Sequence, residues 1–309
     1  MLANFLNKSK PINFIGILVF FIICFIITVS SSFLSNGFST NKLLQNFNLL
    51  LLFLSVFFFY NFILNKNRLT FDNSYAYFLF TLLIICILPE LTTYKILISD
   101  TIYFFFLRKL YSLRSSKKVI QKLFDSGFWL GILFILEPIS MLFFILVFSA
   151  IILNLKITLH TLLTAIIGFI TPLFIYFTYF FWFDKTEEFT KLFNFNTNFD
   201  VHFYTQTKFI WFFVCIVICS LLSIIFKSAE TLGVSNTFRR SWTLLIINFL
   251  IVFLYLPFLP AKNGSEIIFI LFPVSVIIAN GIELINNKII QNLILYSFLI
   301  GSIFFCFFL

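Results

Sequence analysis

Charge is scarce in this sequence. Of 309 residues only 11% are Asp, Glu, Lys or Arg, and 61% are hydrophobic, with a mean hydropathy of +1.06. A soluble domain needs roughly 25% charge to cover its surface, so the composition excludes one and implies an integral membrane protein. Histidine is scarcer still, with only His160 and His202. Cys215 and Cys219 share a helix face at i, i+4, yet a zinc site would need more ligands than two histidines supply. All five cysteines, Cys24, Cys86, Cys215, Cys219 and Cys306, lie in apolar runs, where structural thiols are expected. There is no Gly-rich phosphate loop and no basic run interleaved with base-stacking aromatics, which excludes nucleic acid as a partner. No cofactor is expected; a divalent metal is left open, without a ligand set to support it.

What the chain has is apolar length. A membrane span needs about 20 apolar residues, and runs of that kind cover 14–34, 48–64, 75–89, 97–107, 127–154, 159–182, 208–226, 242–259, 267–284 and 292–309. The 51 phenylalanines suit lipid-facing positions. Only short polar loops separate the runs, so residues 1–309 read as one all-α transmembrane bundle of about 9–11 membrane helices. The first run exceeds the core of a signal peptide and reads as a retained span.

The net charge of +9 follows from topology, because Lys and Arg collect in cytoplasmic loops. If 127–154 is a hairpin of two short helices, fifteen of the 21 basic residues fall on one side: Lys8, Lys10, Lys66, Arg68, Arg108, Lys109, Arg114, Lys117, Lys118, Lys122, Lys156, Lys227, Arg239, Arg240 and Lys288. As a single span it would move Arg239 and Arg240 outside. The hairpin is therefore preferred, with Pro138 as the break because it lacks a backbone donor. Its turn lies at mid-membrane or, if the first helix begins earlier, nearer the far surface. The expected topology is a bacterial inner membrane protein with a cytoplasmic N-terminus and a periplasmic C-terminus. Residues 108–125 read as a cytoplasmic interfacial segment, and residues 183–207 as an outward loop with a short interfacial helix carrying Phe189, Leu192 and Phe193 on one face.

The order "ILPELTTYKILISDTIYFFFLRKLYSL", a basic linker, "GFWLGILFILEPISMLFFILVF" and "HTLLTAIIGFITPLFIYFTYFFWFDKTEEF" resembles the middle of GT-C class polytopic glycosyltransferases, over roughly residues 75–190. The whole chain, from "SKPINF" to "NGSEIIFILFPVSVIIANGIE", also resembles a family of uncharacterised membrane proteins of Bacteroidetes-type bacteria. The first resemblance implies a half-helix hairpin at 127–154 and sugar transfer from a polyprenyl-phosphate carrier at the outer face, with an acid in the first outward loop. That loop here, "SNGFSTNKLLQNF", has no carboxylate, and a position often basic in the class is Glu137.

Ionisable groups within spans are functional hypotheses. Glu137 is a candidate substrate-binding residue, or a carboxylate capping the next half-helix. Glu90 and Asp100 are candidate catalytic residues that would take a proton from an acceptor hydroxyl, with Lys95 holding phosphate; the structural alternative is solvated charges at span ends. Asp184 and His202, with Glu187, Glu188 and Asp200, would line the same cavity or remain solvated. Glu266 reads as a helix N-terminal carboxylate with Ser265 as a cap, and Gly127 and Gly131 are spaced for close helix packing. Three functions stay open: a GT-C-like transferase, a non-catalytic scaffold or assembly subunit that binds membrane lipids and other membrane proteins, and a small-molecule or lipid transporter.

Overall fold

In hydrocarbon the backbone has no hydrogen-bond partner but itself, so apolar runs of this length fold as helices. The computed structural model describes residues 2–36, 39–195, 199, 201–259 and 262–308. A short α1 (Leu2–Leu6) precedes α2 (Pro11–Asn36) and α3 (Thr40–Asn67). α4 (Tyr75–Cys86) runs into a 3-10 turn, Leu88–Glu90, before α5 (Tyr94–Tyr111). α6 (Val119–Leu136), a 3-10 segment (Pro138–Phe143) and α7 (Phe144–Leu153) follow. Then come α8 (Leu159–Trp182), the short α9 (Thr186–Lys191), α10 (Thr207–Glu230), α11 (Asn236–Tyr255), α12 (Ile268–Glu283) and α13 (Lys288–Phe308).

Eight helices are long and apolar enough to cross a membrane: α2, α3, α6, α8 and α10–α13. α4 and the segment Pro138–Leu153 are shorter apolar helices, and α5 completes a set of eleven among the described residues. The protein is an all-helical, multi-pass membrane bundle, as its composition requires.

α4 and α12 form its centre. Every residue of α4 is buried, as is every residue of α12 except Gly281 and Glu283. A helix apolar on all sides is stable only when enclosed. Tyr60 of α3 ties the pair together: its ring stacks on Phe80 at 3.8 Å, and its hydroxyl lies 3.0 Å from Ala76 O and 2.7 Å from Ser275 Oγ. At the N-terminus, α1 is pinned beneath α13, with the Ala3 N–H donating to Asn292 Oδ1 at 2.9 Å.

Glycine fixes the direction of the hairpin. A Cβ at Gly127 would stand 2.1 Å from Ala165 O, one at Gly131 2.5 Å from Phe169 O, and one at Gly168 2.3 Å from Phe124 O. From Gly127 to Gly131 the facing residues advance from Ala165 and Phe169 to Phe169 and Pro172, so the two helices run parallel in near backbone contact. A single segment joining two parallel helices must run back between them. Pro138–Leu153 is therefore a descending arm, and the hairpin expected over 127–154 is present. Its first arm extends back to Val119, which gives a rise of about 27 Å against a hydrocarbon core of about 30 Å. An arm of that length is long enough to carry the turn toward the far surface.

The loops sort into two ends. At one, the basic end, Arg114 Nη1 donates to Asn67 O at 2.7 Å, and Lys227 pairs with Glu230 at 2.7 Å. Asn73 Nδ2 donates to Glu283 Oε1 at 2.7 Å at the same end. Residues 108–125 are divided between the last turn of α5, a 3-10 turn (Ser112–Arg114), a short link and the start of α6, where Lys109 pairs with Asp125 at 2.6 Å. At the far end lie Glu90, Lys95, Glu137, Lys208 and Glu266. The stretch expected as a first outward loop is mostly helix, since α3 begins at Thr40.

Candidate functional site

Two breaks in helix geometry present the far-end acids. Pro89 ends α4 in a 3-10 turn that carries Glu90 to the first turn of α10, where it meets Lys208 at 2.7 Å. Gly264 makes room for this contact: with φ +87°, a Cβ there would stand 2.7 Å from the Phe209 ring and 3.0 Å from Glu90 Cγ, a backbone conformation that suits only glycine. Pro138 ends α6, and Glu137, extended at the break, pairs with Lys95 at the start of α5 at 2.8 Å. The Glu137 side chain is 9% exposed and that of Lys95 63%. Glu266 accepts from the Tyr204 hydroxyl at 2.8 Å and from the Asn263 N–H at 3.3 Å. Ser265, expected as a cap, is instead the first residue of a 3-10 turn (Ser265–Ile267) whose N-cap is Gly264, and Asn263 Oδ1 accepts from both Ser265 N–H (3.2 Å) and Ser265 Oγ (2.6 Å).

Beneath this layer lies a buried polar group of residues floored by aromatic rings. Asp100 is fully buried, and neither carboxylate oxygen has a hydrogen-bond partner. One turn below, the Tyr103 hydroxyl donates to Asn248 Oδ1 of α11 at 2.7 Å. The rings of Tyr103 and Tyr255 each contact Phe143 (5.0 and 5.3 Å) and Phe269 (both 5.5 Å).

The structure thus gathers Glu90, Lys95 and Glu137 at one end, with Asp100 below them. Asp184 and His202 do not join them: Asp184 is exposed at a left-handed turn after α8 (φ 53°), and His202 is exposed at the head of a 3-10 turn (His202–Thr205). Glu188 pairs with Lys191 on α9, and Asp200 lies outside the described residues. Phe193 and Phe195 of this loop pack on Phe134 near the tip of α6 (5.9 and 6.3 Å). Tyr103, Asn248 and Tyr255 were not singled out in the sequence. The available signal was spacing: Ser99, Asp100, Tyr103 and Tyr111 recur on α5 at helical intervals, and Asn248 and Tyr255 are seven apart on α11. Among the described residues no three His, Cys, Asp or Glu side chains are grouped to hold a metal ion.

A family model described as "Family of unknown function (DUF6427)" matches residues 1–309. The chain belongs to the DUF6427 family. No curated protein and no solved structure matches it.

This DUF6427 chain also has a lateral cleft of about 960 Å³ between α10 and α13, floored by α4 and α12. Trp211, Phe226, Ile294 and Phe305 line its sides, and Leu83 and Ile278 its floor; among the described residues no charged side chain lines it. Cys215 and Cys219 open into it. The rings of Phe212 and Phe305 meet across it at 5.8 Å, close to the far end.

Proposed function

We propose that this protein is a non-catalytic, lipid-binding subunit of a bacterial cytoplasmic membrane, with its basic end in the cytoplasm. The carrying observation is the cleft. It lies between two membrane-crossing helices and is lined by apolar side chains. From Trp211 to Phe226 it extends about 22 Å along α10, long enough for a lipid tail within a core of about 30 Å. The orientation is supported by the basic residues gathered at one end. A structural role for the far-end acids is supported by their engagement, Glu90 by Lys208 and Glu137 by Lys95.

Gly301 lines the cleft, and a Cβ there would meet nothing within 4 Å. The variant Gly301→Trp is expected to fill the cleft without disturbing the fold. Lipid retained through detergent exchange, quantified by mass spectrometry of the purified protein, is expected in the wild type and lost in the variant. Equal retention in both sinks the reading.

A second reading, a GT-C-like transferase using a polyprenyl-phosphate-linked sugar, draws on the placement of Glu90, Lys95 and Glu137 at the same end of the bundle. Sugar transfer from such a donor in membranes, abolished by Glu90→Gln, would establish it in place of the first. A transporter reading has no carrying observation beyond the same cleft.

A further inference from the structure

A second cavity, of about 420 Å³, lies at the basic end, where α2 begins, α3 ends and α4 begins. It shares no lining residue with the cleft between α10 and α13. The elements around it are held by ring contacts: Phe14 of α2 meets Tyr77 of α4 at 4.7 Å, Phe57 of α3 meets Tyr77 at 5.8 Å, and Phe21 of α2 meets Phe57 at 4.7 Å. The turn before α4 is tied to the N-terminal segment, with the Ser74 N–H donating to Leu6 O at 2.9 Å and Ser74 Oγ to Lys8 O at 3.5 Å. A space of this size is well beyond that of a trapped water.

Its polar walls are rich in donors and carry a cation. Ser9, Lys10, Asn61, Thr70 and Tyr77 all line it. Asn65 Nδ2 donates to Asn61 Oδ1 at 3.0 Å, which leaves the amide hydrogens of Asn61 free to donate. Lys10 enters no salt bridge among the described residues. No carboxylate among the described residues lines the cavity. Asp72, in the loop before α4, is exposed, and Glu283 accepts from Asn73 Nδ2 at 2.7 Å.

Tyr77 is the group left over. It is only 4% exposed, and its hydroxyl is buried without a partner, a costly arrangement unless something is there to accept its hydrogen. Side chains lean toward the N-terminus of their helix. α4 starts at the basic end, so the Tyr77 hydroxyl is directed back toward that end. Ile15, another wall, is exposed on α2 together with Ile12 and Val19, and the cavity is therefore reached from the bilayer.

Donors around one ammonium, with no carboxylate opposite, suit an anion with several oxygens, and basic pockets between membrane helices on the cytoplasmic side take anionic headgroups. We propose that this cavity binds a phosphate group, presented by an anionic phospholipid of the leaflet at the basic end or as free inorganic phosphate. Lys10 supplies the charge, and the Tyr77 hydroxyl and Asn61 amide donate to the phosphate oxygens. A choline headgroup would bring a cation to a site that has no carboxylate for it. The inference uses no residue of the cleft and is independent of the lipid-binding reading.

The test uses the full chain in a neutral detergent. Thermal unfolding is followed as phosphatidylglycerol, phosphatidylcholine or inorganic phosphate is titrated in at constant ionic strength. The lipid arm gives a midpoint raised by phosphatidylglycerol over phosphatidylcholine; the free-ion arm gives one raised by inorganic phosphate over chloride. Lys10→Gln should weaken the apparent affinity about tenfold, the loss of a hydrogen bond from a charged group, and Tyr77→Phe about fivefold, the loss of a neutral one. Because the Tyr77 hydroxyl has no partner within the protein, Tyr77→Phe should leave the ligand-free midpoint unchanged or higher, which a structural role for the hydroxyl would not allow. Lys66→Gln makes the same change of charge outside the cavity lining and should keep the wild-type affinity. A wild-type midpoint that rises in neither arm overturns the inference, as does an affinity unchanged by Lys10→Gln or by Tyr77→Phe, or weakened as much by Lys66→Gln.

Discussion

Lys95 and Glu137 meet at 2.8 Å across the far ends of α5 and α6, yet they are unequal partners: the lysine is largely exposed and the glutamate almost enclosed. Their removal should therefore be unequal too. Glu137→Gln leaves an ammonium in water and should cost under about 1 kcal/mol, as for exposed pairs. Lys95→Met leaves an enclosed carboxylate without its cation and should cost about 1–3 kcal/mol. Unfolding of the two variants in mild detergent measures the difference, and equal costs would contradict the enclosure of Glu137.

The parallel packing of α6 on α8 rests on three missing side chains. Gly127→Ala or Gly168→Ala drives a methyl into a facing carbonyl oxygen. Each should destabilise the protein by about 1–3 kcal/mol or more, the cost of overpacking a closed interface. Gly233→Ala and Gly301→Ala, where a Cβ meets nothing within 4 Å, are the controls and should leave the unfolding midpoint nearly unchanged.

Because Pro138–Leu153 runs back, the link after α7 must share a side with the link after α5. Single cysteines replacing exposed Ser116 and Ile157 should react with a membrane-impermeant maleimide under the same condition, and one replacing exposed Gln206 under the opposite condition. In cells with the proposed orientation, Gln206→Cys labels intact and the other two only after permeabilisation. Labelling of intact cells at Ile157→Cys but not at Gln206→Cys would mean that 127–154 is crossed once.

Tyr60→Phe removes the hydroxyl that links α3 to both central helices and keeps the ring stacked on Phe80. A loss of about 1 kcal/mol is expected, one net hydrogen bond with the burial of the ring retained. Its measure is the denaturant midpoint, and a loss several times larger would show that the hydroxyl, rather than the ring, seats α12.

Much of the fold was legible in the sequence. The hairpin could be found because Arg239, Arg240 and the 108–122 cluster agree on a side only if residues 127–154 cross twice, and Gly127 and Gly131 marked the face that meets α8. The start of the first arm was left open, since the basic residues before Gly127 resemble a loop although from Val119 they form the opening turns of a helix. Of the site, Glu90, Lys95, Asp100 and Glu137 were visible as rare charges in apolar surroundings, whereas the aromatic floor was hidden among 51 phenylalanines.

By itself, then, the sequence determines membrane residence and helical class, because these depend on apolar length and charge count. The tertiary structure decides that Glu90 meets Lys208, 118 residues away, that Tyr103 meets Asn248, and that Asp100 is left without a partner. Those contacts depend on the rotation and depth of each helix. Lipid tails are as apolar as the protein core, so no amphipathic stripe marks the inward face, and only the packing of the assembled helices selects it.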